Sequence, residues 1–342
     1  MVSEFQAKVE GNPRRPWPWS VQLLSLALVL LLASGLAVLL GAVRIPAQEL
    51  LNLITGQPVE PTVRTIVMDL RLPRLLLAIG AGAGLAAAGV AWQGVLRNPL
   101  ADPYLIGVSA GGALGAGIAM AFDWRGPAGA SLVPTAAFAG SLGSIALVYV
   151  IGGTGRIRLE RLLLAGVALT SFLSAILAGL LTWRADRIPP MHFWLMGSVA
   201  PPRGWADLAR EAPYLLVGLV LLFALSGPLN VLQLGPDRAR ALGVDPRMAE
   251  KALIGAAALV TAAVVSTCGM IGFVGLVVPH VARQLVGPDL RRALPTAALA
   301  GAALLVLADV VARLIGEVPV GVVTAFLGAP FFLALLLRGD KS

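Results

Sequence analysis

Charge is scarce in this 342-residue sequence. Asp, Glu, Lys and Arg make up 13% of it, about half of the ~25% usual in soluble domains. That shortage excludes an ordinary water-soluble globule. The 58% hydrophobic content and the mean hydropathy of +0.85 point instead to lipid as the main solvent. Histidine and cysteine are nearly missing. His192 and His280 alone cannot build a histidine-rich metal site, and the single Cys268 cannot form an intrachain disulfide. Lysine occurs only at Lys8, Lys251 and Lys341, each preceded by a residue other than glycine, so there is no G-x-x-x-x-G-K-[ST] phosphate loop. H-E-x-x-H, clustered acidic motifs and nucleophile–base constellations are also missing. The sequence therefore predicts neither an enzyme nor a resident cofactor or metal.

What the sequence has in excess is glycine and uncharged runs. Its 39 glycines stand well above the usual ~7%, and small residues let membrane helices approach closely where lipid offers no hydrophobic drive between them. Nine long uncharged stretches run over 21–43, 75–96, 103–122, 126–155, 162–183, 212–236, 252–282, 293–308 and 318–337. The stretch 252–282 reaches about 46 Å at 1.5 Å per residue, too long for one span of a ~30 Å core. Its Gly269, Gly272, Gly275 and Pro279 offer breaks, and a split near Cys268–Ile271 makes ten spans. The Pro-rich run 188–202 reads as a surface or re-entrant segment. The stretch 21–43 follows Lys8, Arg14 and Arg15 but is longer than the 7–15 residues of a signal-peptide core, so it reads as an uncleaved first span.

The net charge of +8 invites a nucleic-acid reading, but the arginines sit at the ends of apolar runs rather than on one basic face. Placing both termini in the cytoplasm assigns 16 of the 26 Lys and Arg inside and 10 outside, the direction of the positive-inside rule. The expected organisation is a cytoplasmic tail over 1–19, a ten-helix transmembrane domain over 20–338 with long outside loops at 44–71 and 184–211 and a cytoplasmic segment at 227–251, and a cytoplasmic end at 339–342. Buried Asp, Glu or His relays, which proton-coupled carriers use, are sparse in the spans. Asp309 and Arg313, four apart, read as an interfacial ion pair. An apolar path with no relay and no nucleotide loop calls for an external engine, a partner ATPase. A proton-coupled secondary transporter is the alternative.

Several stretches carry a resemblance. They are Arg71-Leu-Pro-Arg74, the run 93–103 from Gln93 through Asn98-Pro99 to Pro103, Leu162 to Ala168, and Phe193-Trp194-Leu-Met-Gly197-Ser198. Further on come Gly272 to Arg283, Arg292 to Pro295, Asp309 with Arg313, Glu317 to Thr324, and Gly328-Ala-Pro330. In this order and spacing, over about residues 70–337, they resemble the FecCD family, the iron-siderophore, haem and cobalamin permeases of type II ATP-binding-cassette (ABC) importers. The resemblance implies an all-α integral membrane homodimer with ten helices per subunit in the cytoplasmic membrane. Two cytoplasmic ATPase subunits would drive it, and a periplasmic or lipid-anchored binding protein would deliver cargo. It implies that Asp237, Arg238, Arg240, Leu242 and Gly243 form a coupling helix for the ATPase. Physically, Asp237 suits an N-cap and Gly243 a helix end. It further implies that Arg71, Arg74 and Arg313 face outward to dock acids of the binding protein, and that the cytoplasmic gate lies near Asn98, Pro99, Arg158 and Glu160. The arginines at 156, 158 and 161 depart from the small polar gate residues of cobalamin permeases. Turn chemistry alone accounts for Asn98 and Pro99. His280 reads as a helix-end hydrogen-bonder, and Met191, His192 and Met196 as interfacial packing.

Overall fold

The structure is a computed structural model and describes residues 17–41, 43–152 and 159–339. Among these residues helices carry the fold, with only an isolated bridge between Arg125 and Ser131. The helices are α1 (Trp19–Leu39), α2 (Ala47–Ile54), α3 (Pro61–Val95), α4 (Val108–Ala121), α5 (Val133–Gly152), α6 (Leu159–Trp183) and α7 (Ile188–Leu195). They continue as α8 (Trp205–Ala224), α9 (Ser226–Gln233), α10 (Pro236–Ala241), α11 (Pro246–Cys268), α12 (Val274–Val286), α13 (Leu290–Leu314) and α14 (Val320–Gly339).

Six helices, α1, α3, α5, α6, α11 and α13, are long and apolar enough to cross a membrane. A seventh crossing is the pair α8 and α9, bent by 50°. Three further apolar helical stretches, α4, α12 and Val320–Ala334 of α14, are shorter. The break expected near Cys268 falls where the helix stops at Cys268, with Gly269 and Phe273 both in the left-handed region at φ 68°.

Two expected loops are helical instead. Over 44–71 the chain forms α2 and the first turns of α3, which passes through a π-helical turn at Ile66–Arg71. Over 184–211 it forms α7 and the start of α8. Both errors have one cause: Arg and Asp at helix ends ended the uncharged count before the helices themselves ended.

The core is central and lined with small residues. The most apolar windows of α3 and α11 are 78% and 72% buried, against 17% for α1 and 22% for α6, so α3 and α11 form the axis of the bundle and α1 and α6 its outside. Helix α13 lies along α3, where a Cβ on Gly82 or on Gly301 would strike the other glycine's carbonyl oxygen. Glycine at both positions is what lets the two backbones touch, and in lipid such van der Waals contact supplies much of the association energy. Trp92, Leu77 and Leu85 of α3 are fully buried in the same core.

Candidate functional site

One end of the bundle gathers the three arginines that the sequence singles out. Arg71 leaves the π-turn of α3 and donates to the carbonyls of Val38 and Val43. Arg313, near the end of α13, donates to the carbonyls of Ala37 and Leu40 at 2.9 and 3.1 Å. The last carbonyls of α1 have no helical partners, and guanidinium groups there also meet the negative end of the helix dipole. Arg74 bonds Asp309 at 2.9 Å and Glu317 at 3.0 Å, and Asp309 also pairs with Arg313 at 3.1 Å. The three arginines converge on one cavity of about 300 Å³, although 239 residues separate Arg74 from Arg313. They do not stand free. Arg71 and Arg313 are each only 7% exposed, because α1 and Asp309 use their donors. Three arginines against Asp309 and Glu317 leave a net +1 at the mouth.

Below this cluster the chain is held open at membrane depth by two non-helical segments. The first contains Asp102 and the short 3-10 turn Pro103–Ile106 and leads into α4. The second, residues 269–273, leads into α12. Helices α4 and α12 have 14 and 13 residues, about 20 Å each, so each begins part-way through the ~30 Å hydrocarbon layer. Irregular backbone at that depth must be satisfied by protein or line a wet cavity. The first condition is met here. The Ile271 N–H donates to the Tyr104 hydroxyl oxygen at 3.0 Å, Ser198 N–H donates to the Cys268 carbonyl at 2.7 Å, and Asp102 accepts from Tyr104 N–H at 2.7 Å. Gly197, in the left-handed region at φ 71°, brings the α7 segment onto this break, and a Cβ there would strike the Met270 carbonyl. Phe273, Val277, Thr324, Leu327 and Phe331 line an apolar cavity of about 400 Å³ beside it, between α12 and α14.

The opposite end is a platform. Arg97 donates to the Leu232 carbonyl at 2.8 Å and Asn230 bonds Asp289 at 2.6 Å, which fixes α9 to the ends of α3 and α13. Helix α10 then projects on Gly235 and returns through Gly243, which adopts φ 80°. Ala239 is fully buried and pins α10, while Leu234, Leu242 and Met248 are 52–66% exposed. Asp237 is not the N-cap that the spacing predicts. Gly235 occupies that place with Pro236 after it, and Asp237 pairs with Arg240 at 3.3 Å instead. Asp245 caps the next helix by accepting from Arg247 N–H. At the neighbouring turn the Asn98 side chain accepts from Leu100 N–H at 2.9 Å, with Pro99 between them. Arg158 lies outside the described residues. Glu160 falls in the first turn of α6, and its side chain lies outside them too.

Two residues escape the sequence reading. Asp207 and Glu211, placed by it in an outside loop, lie on α8 only 5% and 2% exposed. Asp207 accepts from Arg203 N–H, whereas Glu211 makes no hydrogen bond of ordinary geometry and has the Thr267 hydroxyl as its polar neighbour. The premise of a span interior nearly free of carboxylates thus fails at Glu211. Reading α8 from Trp205 rather than from the first uncharged residue brings both acids onto one helical face, four apart. His280 contacts Gln284 at 2.9 Å and the Phe331 ring. Among the described residues no group of three or more His, Cys, Asp or Glu is placed to hold a metal ion. Met191 is fully buried and His192 exposed.

Apolar helices with spans broken at mid-depth, a basic mouth at one end and an exposed helical platform at the other define a polytopic membrane protein of the permease type. The model of the FecCD transport family matches residues 26–338, and the chain belongs to that family. It is 45% identical to the cobalamin import system permease protein BtuC of Halobacterium salinarum over 280 residues, 81% of this chain and 75% of that protein. It is 39% identical to the hemin transport system permease protein HmuU of Yersinia pestis over 320 residues, 92% and 94% of the two chains. A solved structure described as an inward-facing conformation of a metal-chelate type ABC transporter superposes with a TM-score of 0.81 at 33% identity, covering 94% of this chain and all of the other.

Proposed function

We propose that this chain is the transmembrane permease of an ABC importer that carries a ferric siderophore, haem or cobalamin across the cytoplasmic membrane. Family membership supports the import role, and relatives named for cobalamin and hemin support the cargo class. In this reading the protein works as a homodimer of ten-span subunits with both termini in the cytoplasm. Two ATPase subunits seat on the platform of Leu234, Leu242 and Met248 with Arg238 and Arg240. The binding protein docks over the cavity of Arg71, Arg74 and Arg313, and the cytoplasmic gate lies by Asn98, Pro99, Arg158 and Glu160.

The observation that carries this reading is the polarity of the bundle. Helices α3 and α13 each run between the arginine mouth and the platform, α11 runs from the platform to the break at Gly269, and the non-helical segments lie between the two ends. ATP-side motion at the platform therefore acts directly on the spans that hold the breaks. Because Arg71 and Arg313 already bond carbonyls at the end of α1, this reading rests docking on the net charge of the mouth and on Arg74 at its edge, 16% exposed at the side chain, rather than on three free arginines. The test is reconstitution with the ATPase and binding protein encoded beside it. ATP-dependent uptake of one of these chelates supports the reading. Uptake that needs a proton gradient and no ATP would favour the secondary-transporter alternative, for which Glu211, buried on α8, is the candidate carboxylate.

A further inference from the structure

At the platform end, where α3 stops, the chain leaves a cavity of about 230 Å³ whose walls include Gln93, Arg97, Asn98, Gln233 and Arg283. No carboxylate lines it, and neither arginine makes an ion pair among the described residues. Glu250 of α11 is near enough to Arg97 to feel its charge but is not in the wall. The hydrogen bonds already made are specific. Arg97 gives one to Leu232, Arg283 gives one to the Gln93 side-chain oxygen, and the Gln93 amide gives its own to the Leu276 carbonyl. The Asn98 oxygen is taken by Leu100 N–H.

What remains facing the cavity is mostly donors. A guanidinium offers five N–H groups, and each of these two uses one. With its oxygen engaged by Leu100 N–H, Asn98 has only its amide N–H groups to offer, and Gln233 adds a side-chain acceptor. Two uncompensated positive charges and a wall of spare donors call for an anion with several acceptor oxygens. A carboxylate has two oxygens and matches one guanidinium, whereas a phosphate group has enough to bridge both, and arginine forks bind it bidentately. The cavity lies below the ~300–1,000 Å³ of drug-sized ligand sites, which suits a headgroup rather than a chelate. Basic pockets between helices at a membrane surface hold phospholipid headgroups in this way. The carbonyl ends of α3 and α9 also point here and by themselves oppose an anion; Arg97 offsets this by donating to the Leu232 carbonyl of α9, and the charges of Arg97 and Arg283 outweigh the partial charges that remain.

We propose that this cavity is a phosphate site that takes the phosphodiester of an anionic phospholipid headgroup, or a soluble phosphate, between Arg97 and Arg283. The inference needs neither ATPase nor cargo, so its failure would leave the import reading standing. The experiment uses the full chain in a phosphate-free maltoside detergent. Thermal unfolding is followed while inorganic phosphate, phosphatidylglycerol or phosphatidylcholine is titrated at ionic strength held constant with chloride. Stabilisation by phosphatidylglycerol but not by inorganic phosphate identifies the lipid source, and stabilisation by inorganic phosphate identifies the soluble one. Arg97→Gln, at an exposed position, is expected to weaken the response about tenfold or more. Asn98→Asp, which puts a carboxylate in the wall, is expected to abolish it. The proposal is overturned if neither phosphate species stabilises beyond chloride. It is equally overturned if both variants respond as wild type does. A third contrary result is that Arg97→Glu is rescued by an acid-to-base change in the ATPase while phosphate has no effect, which would assign the cavity to a protein carboxylate.

Discussion

The hydroxyl of Tyr104 accepts the backbone N–H of Ile271 at 3.0 Å, joining two chain breaks 167 residues apart in the middle of the bundle. Ile271 is fully buried, so this N–H has no water to turn to. Tyr104→Phe removes one oxygen and keeps the ring. It should destabilise the protein by about 1–3 kcal/mol, the cost of a buried donor left unpaired. Thermal or denaturant unfolding of the purified chain measures it. An unfolding curve unchanged from wild type would mean that Ile271 finds another acceptor and that the link between the breaks is incidental.

At the arginine mouth, Asp309 is shared by Arg74 and Arg313 and is itself 2% exposed. Asp309→Asn should therefore cost more than a surface ion pair, about 3–5 kcal/mol, since it strands buried positive charge. Adding Arg74→Gln to Asp309→Asn should recover part of that loss. Simple additivity of the two single effects in a double-mutant cycle would show that they do not interact.

Leu242 is 60% exposed on the platform beside Gly243. Leu242→Arg should leave folding unchanged and weaken ATPase association, because a charge at the centre of an apolar contact goes unpaired. Gly243→Trp should weaken that association and also lower stability, since φ 80° costs a side-chain-bearing residue roughly 1–2 kcal/mol. Co-purification of the ATPase on tagged permease separates the two. Full retention on Leu242→Arg would move the docking surface elsewhere.

Glu211 carries two buried oxygens whose only polar neighbour within reach, the Thr267 hydroxyl, sits outside ordinary hydrogen-bond geometry. Glu211→Leu should raise the unfolding temperature, because it removes desolvated polar atoms that this weak contact does not repay. A lower temperature in Glu211→Leu than in wild type would show that the carboxyl has a stabilising partner in the membrane.

Much of this was legible from the residues. The apolar runs located the long helices, and the glycines of 269–275 located the break in 252–282, because both follow from what lipid and backbone geometry permit. Helix ends were less legible. Arg71 and Asp207 belong to helices, yet charge in a hydropathy count reads as loop, and only tertiary partners such as the α1 carbonyls make burial of Arg71 tolerable. The convergence of Arg74 with Arg313 came through resemblance. Their sharing of Asp309 was half visible, as the four-residue spacing of Asp309 and Arg313. The contact of Tyr104 with Ile271 left no local signal, since neither residue type nor spacing encodes a partner so distant in the chain.

The central claim is that ATP, hydrolysed on a partner chain, drives inward movement through this permease. Its most direct measurement is uptake of a radiolabelled ferric siderophore, haem or cobalamin into proteoliposomes holding the permease, its ATPase and its binding protein. The account predicts accumulation that requires enclosed ATP and the binding protein and persists when an uncoupler collapses the proton gradient. Uptake that continues without ATP and stops with the uncoupler would contradict it.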